Sequence, residues 1–272
     1  MKLLFYVLLL MLHVDVLFAD VEKLLFSHYT NSYNTQQPYK TLTELHVSVS
    51  LEQAYDIQQK LVQNRLTKHP KRGFKVALIS SEQQKKYNIS EPILGVLVSD
   101  QVFNNFSIIP KRHFTDLNFE TEFGFVLKDS ITEPIHSLYI LKQYIKSVYP
   151  VIEIVDYKFL NKKNVQLGDL IISNALSSSY LLGPKLPLKA IEGLPIKAVY
   201  LGKTVSLYDK PANVDDYLMS LMWAINTALT QGWKVSQGDL IITGALGKMF
   251  SGKKGRYIVD YGDITSLMFD VR

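Results

Sequence analysis

Three segments of the chain carry apolar residues at the i, i+3, i+4 spacing that predicts amphipathic helices. The first begins at Ser50, a good N-cap, and the second covers about 137–149 before Pro150 stops it. The third starts near Asn213 and ends before Gly232, which suits a C-cap. We interpret the apolar stripes of these helices as core-facing surfaces rather than cofactor-binding ones.

Short apolar segments with strand character lie between these helices. They cover residues 74–79, 119–127, 151–155, 198–201, 240–243, 256–259 and 266–271. Strands dominate the second half of the chain, and helices do not alternate with them regularly. This order predicts an α+β fold and argues against a doubly wound parallel sheet. The polar segment from Ser27 to Lys40 is predicted to be a loop.

The N-terminus resembles a secretory signal. Lys2 precedes the apolar run Leu3 to Leu12, and a small residue, Ala19, stands before Asp20. The pattern predicts a signal peptide over residues 1–19, cleavage after Ala19, and a secreted or periplasmic protein whose residues 20–272 form a single domain. The run is shorter than the roughly 20 residues that cross a bilayer, so no membrane span is expected after cleavage. The alternatives are an uncleaved anchor and an ordinary apolar helix.

Composition narrows the classes of function. The 272 residues include no cysteine, which excludes disulfides, cysteine nucleophiles and cysteine-bound zinc. The net charge of +5 gives a mild positive potential that favours small anionic substrates. The basic pairs are scattered and accompany no nucleic-acid-binding motif, so we expect no nucleic-acid partner.

Two glutamates stand inside an otherwise apolar strand. Glu120 and Glu122 are two residues apart, so they share one face of the strand, while Phe119, Phe123 and Phe125 point to the other. Two neighbouring buried carboxylates repel each other and lose hydration, so a positive group must offset them. Mg²⁺ or Mn²⁺, which prefer carboxylate oxygens, would do so.

A third acid, Glu153, lies in the short apolar strand after Pro150 and needs a partner for the same reason. The alternative is that Glu120 and Glu122 edge a solvated sheet face while Glu153 pairs with a lysine. No paired-histidine spacing, nucleophile elbow or phosphate-binding loop offers other chemistry.

Four stretches of the chain form an ordered set of motifs: Gly73-Phe74-Lys75-Val76-Ala77-Leu78, Phe119-Glu120-Thr121-Glu122 through Leu127, Pro150 to Val155 with Ser173-Asn174-Ala175 beyond it, and Gly238-Asp239-Leu240-Ile241-Ile242-Thr243-Gly244-Ala245-Leu246-Gly247. Taken together, they resemble the 2-keto-4-pentenoate hydratase / 4-oxalocrotonate decarboxylase family, part of the fumarylacetoacetate hydrolase superfamily. The resemblance runs from about Thr41 to the C-terminus.

The resemblance implies a mixed β-roll with flanking helices and a role for each matched residue. Glu120, Glu122 and Glu153 fall at the family's Mg²⁺ or Mn²⁺ ligand positions, and Lys75 falls at its active-site lysine. The ion is expected to chelate a 2-oxo acid and polarise its ketone, while Lys75 stabilises the enolate charge or moves a proton. Further residues expected to bind the substrate are Leu78, Ser80, Asn174 and Thr243. A small-molecule substrate and a homo-oligomer are expected as partners.

Four departures from the family pattern bear on activity. Ala77 replaces a usual Gly, Ile79 a usual Thr and Ser173 a usual Asp, and Ile93 stands where many hydratases carry an acid. An apolar side chain at 93 cannot orient water. Export would be a further departure, because the family is usually cytoplasmic and catabolic.

Three hypotheses follow from these features. The first is a metal-dependent hydratase of a 2-hydroxy-2,4-dienoate. The second is a decarboxylase of a 2-oxo-dienedioate. The third is an exported protein that binds 2-oxo acids and has weak turnover or none.

Overall fold

The structure, a computed structural model, describes residues 19–98, 102–210 and 213–272. Its helices within these ranges are α1 (19–34), α2 (Leu51–Leu66), α3 (Ser81–Tyr87), α4 (Leu138–Gln143), α5 (Leu167–Ile172) and α6 (Val214–Thr230). Short 3₁₀ turns cover Lys111–His113, Lys162–Asn164 and Leu188–Ile191. Among these described helices, none is long and apolar enough to cross a membrane.

The strands are more numerous than the helices. They are β1 (Lys71–Ala77), β2 (Ile93–Val98), β3 (Val102–Asn104), β4 (Ile108–Ile109), β5 (Leu117–Leu127), β6 (Ile145–Asp156), β7 (Ser177–Leu182), β8 (Ile196–Tyr200), β9 (Lys203–Tyr208), β10 (Leu240–Ile242), β11 (Leu246–Ser251), β12 (Gly255–Tyr261) and β13 (Thr265–Val271).

These strands form two mixed sheets. The larger has the order β2-β1-β10-β5-β6-β7-β3, with β11 also paired to β5, and the smaller has the order β4-β13-β12-β8-β9. Most neighbours are antiparallel, whereas β1 with β10, β3 with β7 and β4 with β13 are parallel. The curled sheets with few helices confirm the predicted α+β class and the mixed β-roll.

Two of the predicted helices begin where the sequence indicates. Ser50 caps α2 with a reciprocal capping box, in which its hydroxyl accepts the Gln53 N–H at 3.1 Å and the Gln53 side chain accepts the Ser50 N–H at 2.9 Å. Asn213 caps α6 in the same way, and Gly232 follows that helix with a positive φ of 78°.

The prediction of a helix over 137–149 is wrong in its second half. Helix α4 ends at Gln143, and β6 begins at Ile145 and continues through Pro150. Ile145 and Val148 are three residues apart, which fits a helix, yet both lie opposite residues of β5. Pairing along the whole length of β5 satisfies more backbone groups than one further helical turn would, so the sheet prevails over local propensity.

The prediction of a loop over 27–40 is also wrong in part, because α1 runs through residue 34. Leu25 and Tyr29 of this helix are buried, and they pack in a cluster with Ile57 of α2 and Ile171 of α5. The helix therefore forms because its apolar face covers α2 and α5, although its other face is polar.

One face of β5 lies in the main core. Phe119 stacks edge-on against Phe269 of the smaller sheet with ring centroids 4.8 Å apart, and Phe123 meets Tyr217 of α6 at 5.2 Å. Phe125 continues this row and is fully buried. The opposite face of β5 is thereby left to carry the polar residues of the site.

Candidate active site

The strand register places the three predicted glutamates on one face of the larger sheet. Glu120 and Glu122 lie on the face of β5 opposite to Phe119 and Phe123, and Glu153 of β6 lies directly opposite Glu120. Residues opposite each other in paired strands share a face, so the three carboxyl groups project from the same side.

Lys75 reaches that same face from two strands away. It pairs in register with Ile242 of β10, and Ile242 pairs with Gly124 of β5. Gly124 has no side chain, and the Leu240 and Val151 side chains pack over it on this face, each 2.8 Å from where a Cβ would lie. Gly95 on β2 leaves room on the other side, because a Cβ there would lie 2.8 Å from Cγ of Lys75.

The four side chains meet in one cluster, in which Lys75, Glu122 and Glu153 are buried and Glu120 is half-buried. One ligand oxygen from each of Glu120, Glu122 and Glu153 lies within 4.8 Å of the others. Lys75 Nζ forms an ion pair with Glu153 Oε1 and donates a hydrogen bond to the carbonyl oxygen of Ala175 at 2.9 Å. Exposure is 2% for Lys75, 0% for Glu122 and 1% for Glu153, so none of these charges is offset by bulk water.

Burial and mutual repulsion disfavour the ionised carboxylates when no cation is bound. Burial first, and the Glu153 charge second, raise the pKa of Glu120 to about 7 and raise the pKa of Glu122 well above its usual range. Burial alone would lower the pKa of Lys75, but the charges of Glu153, Glu120 and Glu122 together raise it above its ordinary value.

The cluster fits a divalent cation. Fully ionised, the three carboxylates exceed the one ammonium group by two negative charges. Within the described parts of the chain, Glu122 Oε1 and Glu153 Oε2 are buried without a hydrogen-bond partner. Buried carboxylate oxygens are expensive to leave unpaired, and a hard dication would satisfy both and cancel the excess charge.

A cavity of about 220 Å³ opens next to this cluster. Lys75 and Glu120 line its inner end, and Ile93, Val155 and Leu176 are among the apolar side chains along its walls. A mostly apolar pocket with a few convergent polar groups is typical of a small-molecule site.

Strained backbone borders the cavity. Leu78, at the end of β1, has a φ of 60°, and the three consecutive residues Asn174, Ala175 and Leu176 have φ values between 52° and 60°. L-residues seldom adopt this left-handed conformation, and such strain is concentrated at functional sites. Here it turns the Ala175 carbonyl toward the Lys75 ammonium group.

The residues predicted to bind substrate are placed unequally. Leu78 lines the cavity, and Thr243 is buried beside Gly244, whose N–H donates to Glu122 Oε2 at 2.8 Å. The Ser80 hydroxyl instead caps α3, where it accepts from the Gln83 N–H at 3.2 Å. The Asn174 amide exchanges two hydrogen bonds with the backbone of Val96, each 2.8 Å long. A substrate contact by any of them stays a prediction.

Three of the four departures from the family pattern lie in the cavity wall. Ala77, Ile79 and Ile93 all line it, so each can affect substrate fit. Ser173 is not part of that wall, and its hydroxyl donates to the Leu170 carbonyl at 3.0 Å. It closes the C-terminal end of α5.

Sequence reasoning missed the groups that hold the charged side chains in place. The Ala175 carbonyl and the Gly244 N–H are backbone atoms, and the side chains of those residues give no sign of their role. Tyr157, which lines the cavity, was also missed. The available signal was the family resemblance around Asn174 and Thr243. Those two stretches include Ala175 and Gly244, whose backbone atoms hold Lys75 and Glu122.

The fold and the site define a metal-dependent enzyme of the fumarylacetoacetate hydrolase type. A family model described as fumarylacetoacetate (FAA) hydrolase C-terminal matches residues 66–270. The chain is 30% identical over 227 residues to 2-keto-4-pentenoate hydratase of Paraburkholderia xenovorans (strain LB400), covering 80% of this chain and 82% of the relative. It is 26% identical over 235 residues to 2-oxo-hept-4-ene-1,7-dioate hydratase of Escherichia coli, covering 80% of this chain and 86% of that relative. The chain therefore belongs to the FAA hydrolase family, and its relatives there are hydratases.

A solved structure shares the fold. The 4-oxalocrotonate decarboxylase from Pseudomonas putida G7, complexed with magnesium and adipate, superposes with a TM-score of 0.85 at 20% identity over 93% of this chain and 98% of that one. A second structure of that decarboxylase is complexed with calcium and acetate. Together these neighbours support a divalent ion without identifying which one.

The prediction of a secreted or periplasmic location is wrong. The hydratases that the chain resembles are cytoplasmic catabolic enzymes. Ala19 and Asp20, which flank the predicted cleavage point, both lie in α1, the helix that packs on α2 and α5. Residues 1–18 of the predicted signal peptide lie outside the described residues.

Proposed function

We propose that this chain is a metal-dependent hydro-lyase that adds water to a 2-hydroxy-2,4-dienoate or the corresponding 2-oxo-alkenoate. One observation carries the proposal. Two buried carboxylates with unsatisfied oxygens and a third, half-buried one stand beside a buried lysine at one end of a small-molecule cavity. That arrangement suits a 2-oxo acid, whose carboxylate and ketone oxygens are anionic or become so during reaction.

Glu120, Glu122 and Glu153 would hold Mg²⁺ or Mn²⁺. The bound ion would supply Lewis acidity toward the 2-oxo group. The carboxylate of Glu122 is fixed by the Gly244 N–H, so one of its oxygens stays available. The Lys75 ammonium group likewise holds Glu153 Oε1, so Glu153 Oε2 stays available.

Lys75 would stabilise the negative charge of the enolate. Its ammonium group has three N–H donors, and Glu153 and the Ala175 carbonyl take two of them. The third would remain for a ligand in the cavity, which Lys75 and Glu120 both line. Apolar walls around this donor exclude water and strengthen its interaction with an anionic oxygen.

A second candidate, decarboxylation of a 2-oxo-dienedioate, is favoured by Ile93. This side chain is 2% exposed and lines the cavity where an acid would orient the attacking water. Loss of CO₂ needs the same electron sink but no positioned water. A 2-oxo-acid-binding protein with weak turnover is the third possibility, and a homo-oligomer stays a prediction for all three.

A turnover assay of the purified full chain separates these functions. With Mg²⁺ and 2-hydroxypenta-2,4-dienoate, hydration predicts loss of the dienol absorbance and formation of 4-hydroxy-2-oxovalerate. With 4-oxalocrotonate, decarboxylation predicts CO₂. Chelation should stop either reaction, and added Mg²⁺ should restore it.

Substitution of a glutamate in the cluster should affect turnover, and substitution of a glutamate elsewhere should not. Glu153→Gln is expected to abolish turnover, whereas Glu133→Gln, at an exposed position, should retain it. Metal-dependent binding of oxalate without any turnover would favour the binding protein. The absence of both turnover and metal-dependent binding would overturn the proposal.

A further inference from the structure

A second cavity, of about 270 Å³, borders the backbone segment whose Ala175 carbonyl holds Lys75. Leu176 lines both this cavity and the site cavity, whereas Ser173 and Ser177 line the second cavity but not the site cavity. Lys75 and the three glutamates of the cluster do not line the second cavity. It is therefore a separate space that shares one wall with the site.

Three consecutive serines line this cavity because β7 is irregular where it begins. Ser177 and Ser179 pair with Val155 and Ile154, which are adjacent in β6, so Ser178 is an extra residue that forms a β-bulge. In a regular strand Ser178 would point to the opposite face from its two neighbours. Within the described parts of the chain, none of the three hydroxyls takes part in a hydrogen bond.

Lys158 brings a buried positive charge to the same cavity. The residue is 9% exposed, and its carbonyl accepts the Tyr39 N–H at 2.9 Å, which fixes the backbone. Its ammonium group lies 3.8 Å from Asp156 Oδ2, which is longer than a hydrogen bond. Among the described residues, the three N–H donors of this group therefore have an ion-pair partner but no hydrogen-bond acceptor. A buried ammonium group is expensive to leave in that state.

Asp156 offsets only part of the positive charge of the second cavity. Its Oδ1 already accepts two backbone N–H groups, at 2.8 and 2.9 Å. The neighbouring carboxylate of Asp116 does not line the cavity and is ion-paired with Lys162. Among the described residues of the lining, Asp156 is the one carboxylate, whereas Lys158 and Arg65 are both cations. That lining therefore carries more positive than negative charge.

The ring of Tyr33 lies beside both cations. The Arg65 guanidinium carbon lies 4.4 Å from the centre of this ring, and the Lys158 ammonium lies 5.3 Å from it. Burial lowers the pKa of Lys158, the Asp156 charge opposes that shift, and the Arg65 charge lowers the pKa further. An aromatic face attracts cations but carries no net charge. An anion between the two cations would offset both the burial and the repulsion.

A structural ion pair at the end of β6 would explain Lys158 and Asp156 by themselves. It does not explain why three hydroxyls without hydrogen-bond partners line the cavity that the ammonium group also lines. Hydroxyl groups and an ammonium group together are typical of a site that binds the oxygens of an anion.

We propose that the second cavity binds the phosphoryl group of a small molecule, with Lys158 and the hydroxyls of Ser177 to Ser179 as its donors. A phosphoryl group has three terminal oxygens and up to two negative charges, so it can accept from all four donors. A carboxylate has only two oxygens and one charge. The inference goes beyond the proposed function and does not depend on it, because no residue of the metal cluster takes part.

Calorimetric titration of the full chain with inorganic phosphate tests the inference. The titration is made without Mg²⁺, so that no phosphate is bound through an ion at the cluster. At constant ionic strength, phosphate is expected to bind about tenfold or more tightly than acetate. Lys158→Met should weaken phosphate binding by about tenfold or more, and Ser178→Ala by a smaller factor, because each removes one donor.

Lys163→Met is the matched control, because Lys163 is exposed and lines neither cavity. It should bind phosphate as the unmodified chain does. Ser178 is half-buried in a bulge, so Ser178→Ala should keep the melting temperature of the unmodified chain and decides the matter if Lys158→Met does not fold. Undetectable phosphate binding, acetate binding as tight as that of phosphate, or equal effects of Ser178→Ala and Lys163→Met would overturn the inference.

Discussion

Glu120 and Glu153 lie directly opposite each other on paired antiparallel strands, β5 and β6. Like charges in such cross-strand pairs are destabilising, and the Cβ atoms of opposite residues are only about 4.5–5.5 Å apart. Glu122 adds a third carboxylate to the same face, and Lys75 neutralises only one of the three. Without a cation the site must take up protons, and with a dication it can be fully ionised. Protons and metal therefore compete for the same oxygens.

This competition predicts that metal affinity depends on pH. The pKa of Glu120 is raised to about 7 by burial and the Glu153 charge, and the ion binds the deprotonated carboxylate. Affinity for Mg²⁺ should therefore rise as pH increases through about 7, by roughly tenfold per pH unit below that value for each proton displaced. Calorimetry in buffers of different ionisation enthalpy measures both the affinity and the released protons. Constant affinity without proton release would contradict the prediction.

Glu122→Gln should abolish metal binding and yet stabilise the metal-free protein. The pKa of Glu122 is raised well above its usual range, so its ionised form opposes folding at neutral pH, and the amide removes that charge. We expect a higher melting temperature without metal, by a few degrees for a chain of this size, and no further increase on adding Mg²⁺. Thermal unfolding with and without Mg²⁺ measures both effects.

Glu133→Gln provides the comparison for this experiment, because Glu133 is exposed and is not a member of the cluster. It should leave both the metal-free melting temperature and its increase with Mg²⁺ unchanged. A lower melting temperature for metal-free Glu122→Gln would show that the carboxylate is needed for folding, contrary to the electrostatic argument.

The sequence predicts elements well where one periodicity is unambiguous. Helix α6 has a long 3.6-residue stripe with a cap at each end, and β5 places Glu120 and Glu122 on one face and Phe119 and Phe123 on the other. Residues 145–149 fit both periods, since Ile145 and Val148 are spaced for a helix but also occupy paired positions of β6. Only the partner strand, which is remote in sequence, decides between them.

The site could be predicted in its side chains but not in its backbone. Period-two alternation alone places Glu120 and Glu122 together, whereas the position of Glu153 opposite Glu120 depends on strand register. The carbonyl of Ala175 that holds Lys75 depends on three consecutive left-handed residues, and nothing in the sequence of that segment requires this conformation. Family resemblance supplied Lys75, and the pairing of β1 with β10 explains its location.

Lys75→Met should reduce both stability and activity. Removing one partner of a buried ion pair leaves the other charge uncompensated, which costs about 3–5 kcal/mol. Lys75 is also the cation proposed to stabilise the enolate, so turnover should fall by about 10²-fold or more. Urea unfolding and the dienoate assay at saturating Mg²⁺ measure the two effects separately.

A second substitution tests the stability part of this prediction. Lys75→Met combined with Glu153→Gln removes both members of the pair, so it should recover most of the stability lost in Lys75→Met. Because Glu153→Gln alone is expected to abolish turnover, only unfolding is measured for this variant, and an unfolding free energy as low as that of Lys75→Met would contradict the ion-pair argument.

Gly95→Ala should disturb the site through the position of Lys75. The new Cβ would lie 2.8 Å from Lys75 Cγ and 2.9 Å from the Asn174 carbonyl oxygen, and the second of these atoms belongs to a backbone segment that cannot easily yield. Such overpacking typically costs about 1–3 kcal/mol, and the displaced ammonium should lower kcat more than it weakens Mg²⁺ binding. In Gly168→Ala the nearest atoms are side-chain tips of Leu42 and Val49, which can move, so kcat and Mg²⁺ affinity should stay unchanged. An unaltered kcat in Gly95→Ala would mean that Lys75 tolerates displacement, and its role as a fixed donor to the substrate would have to be abandoned.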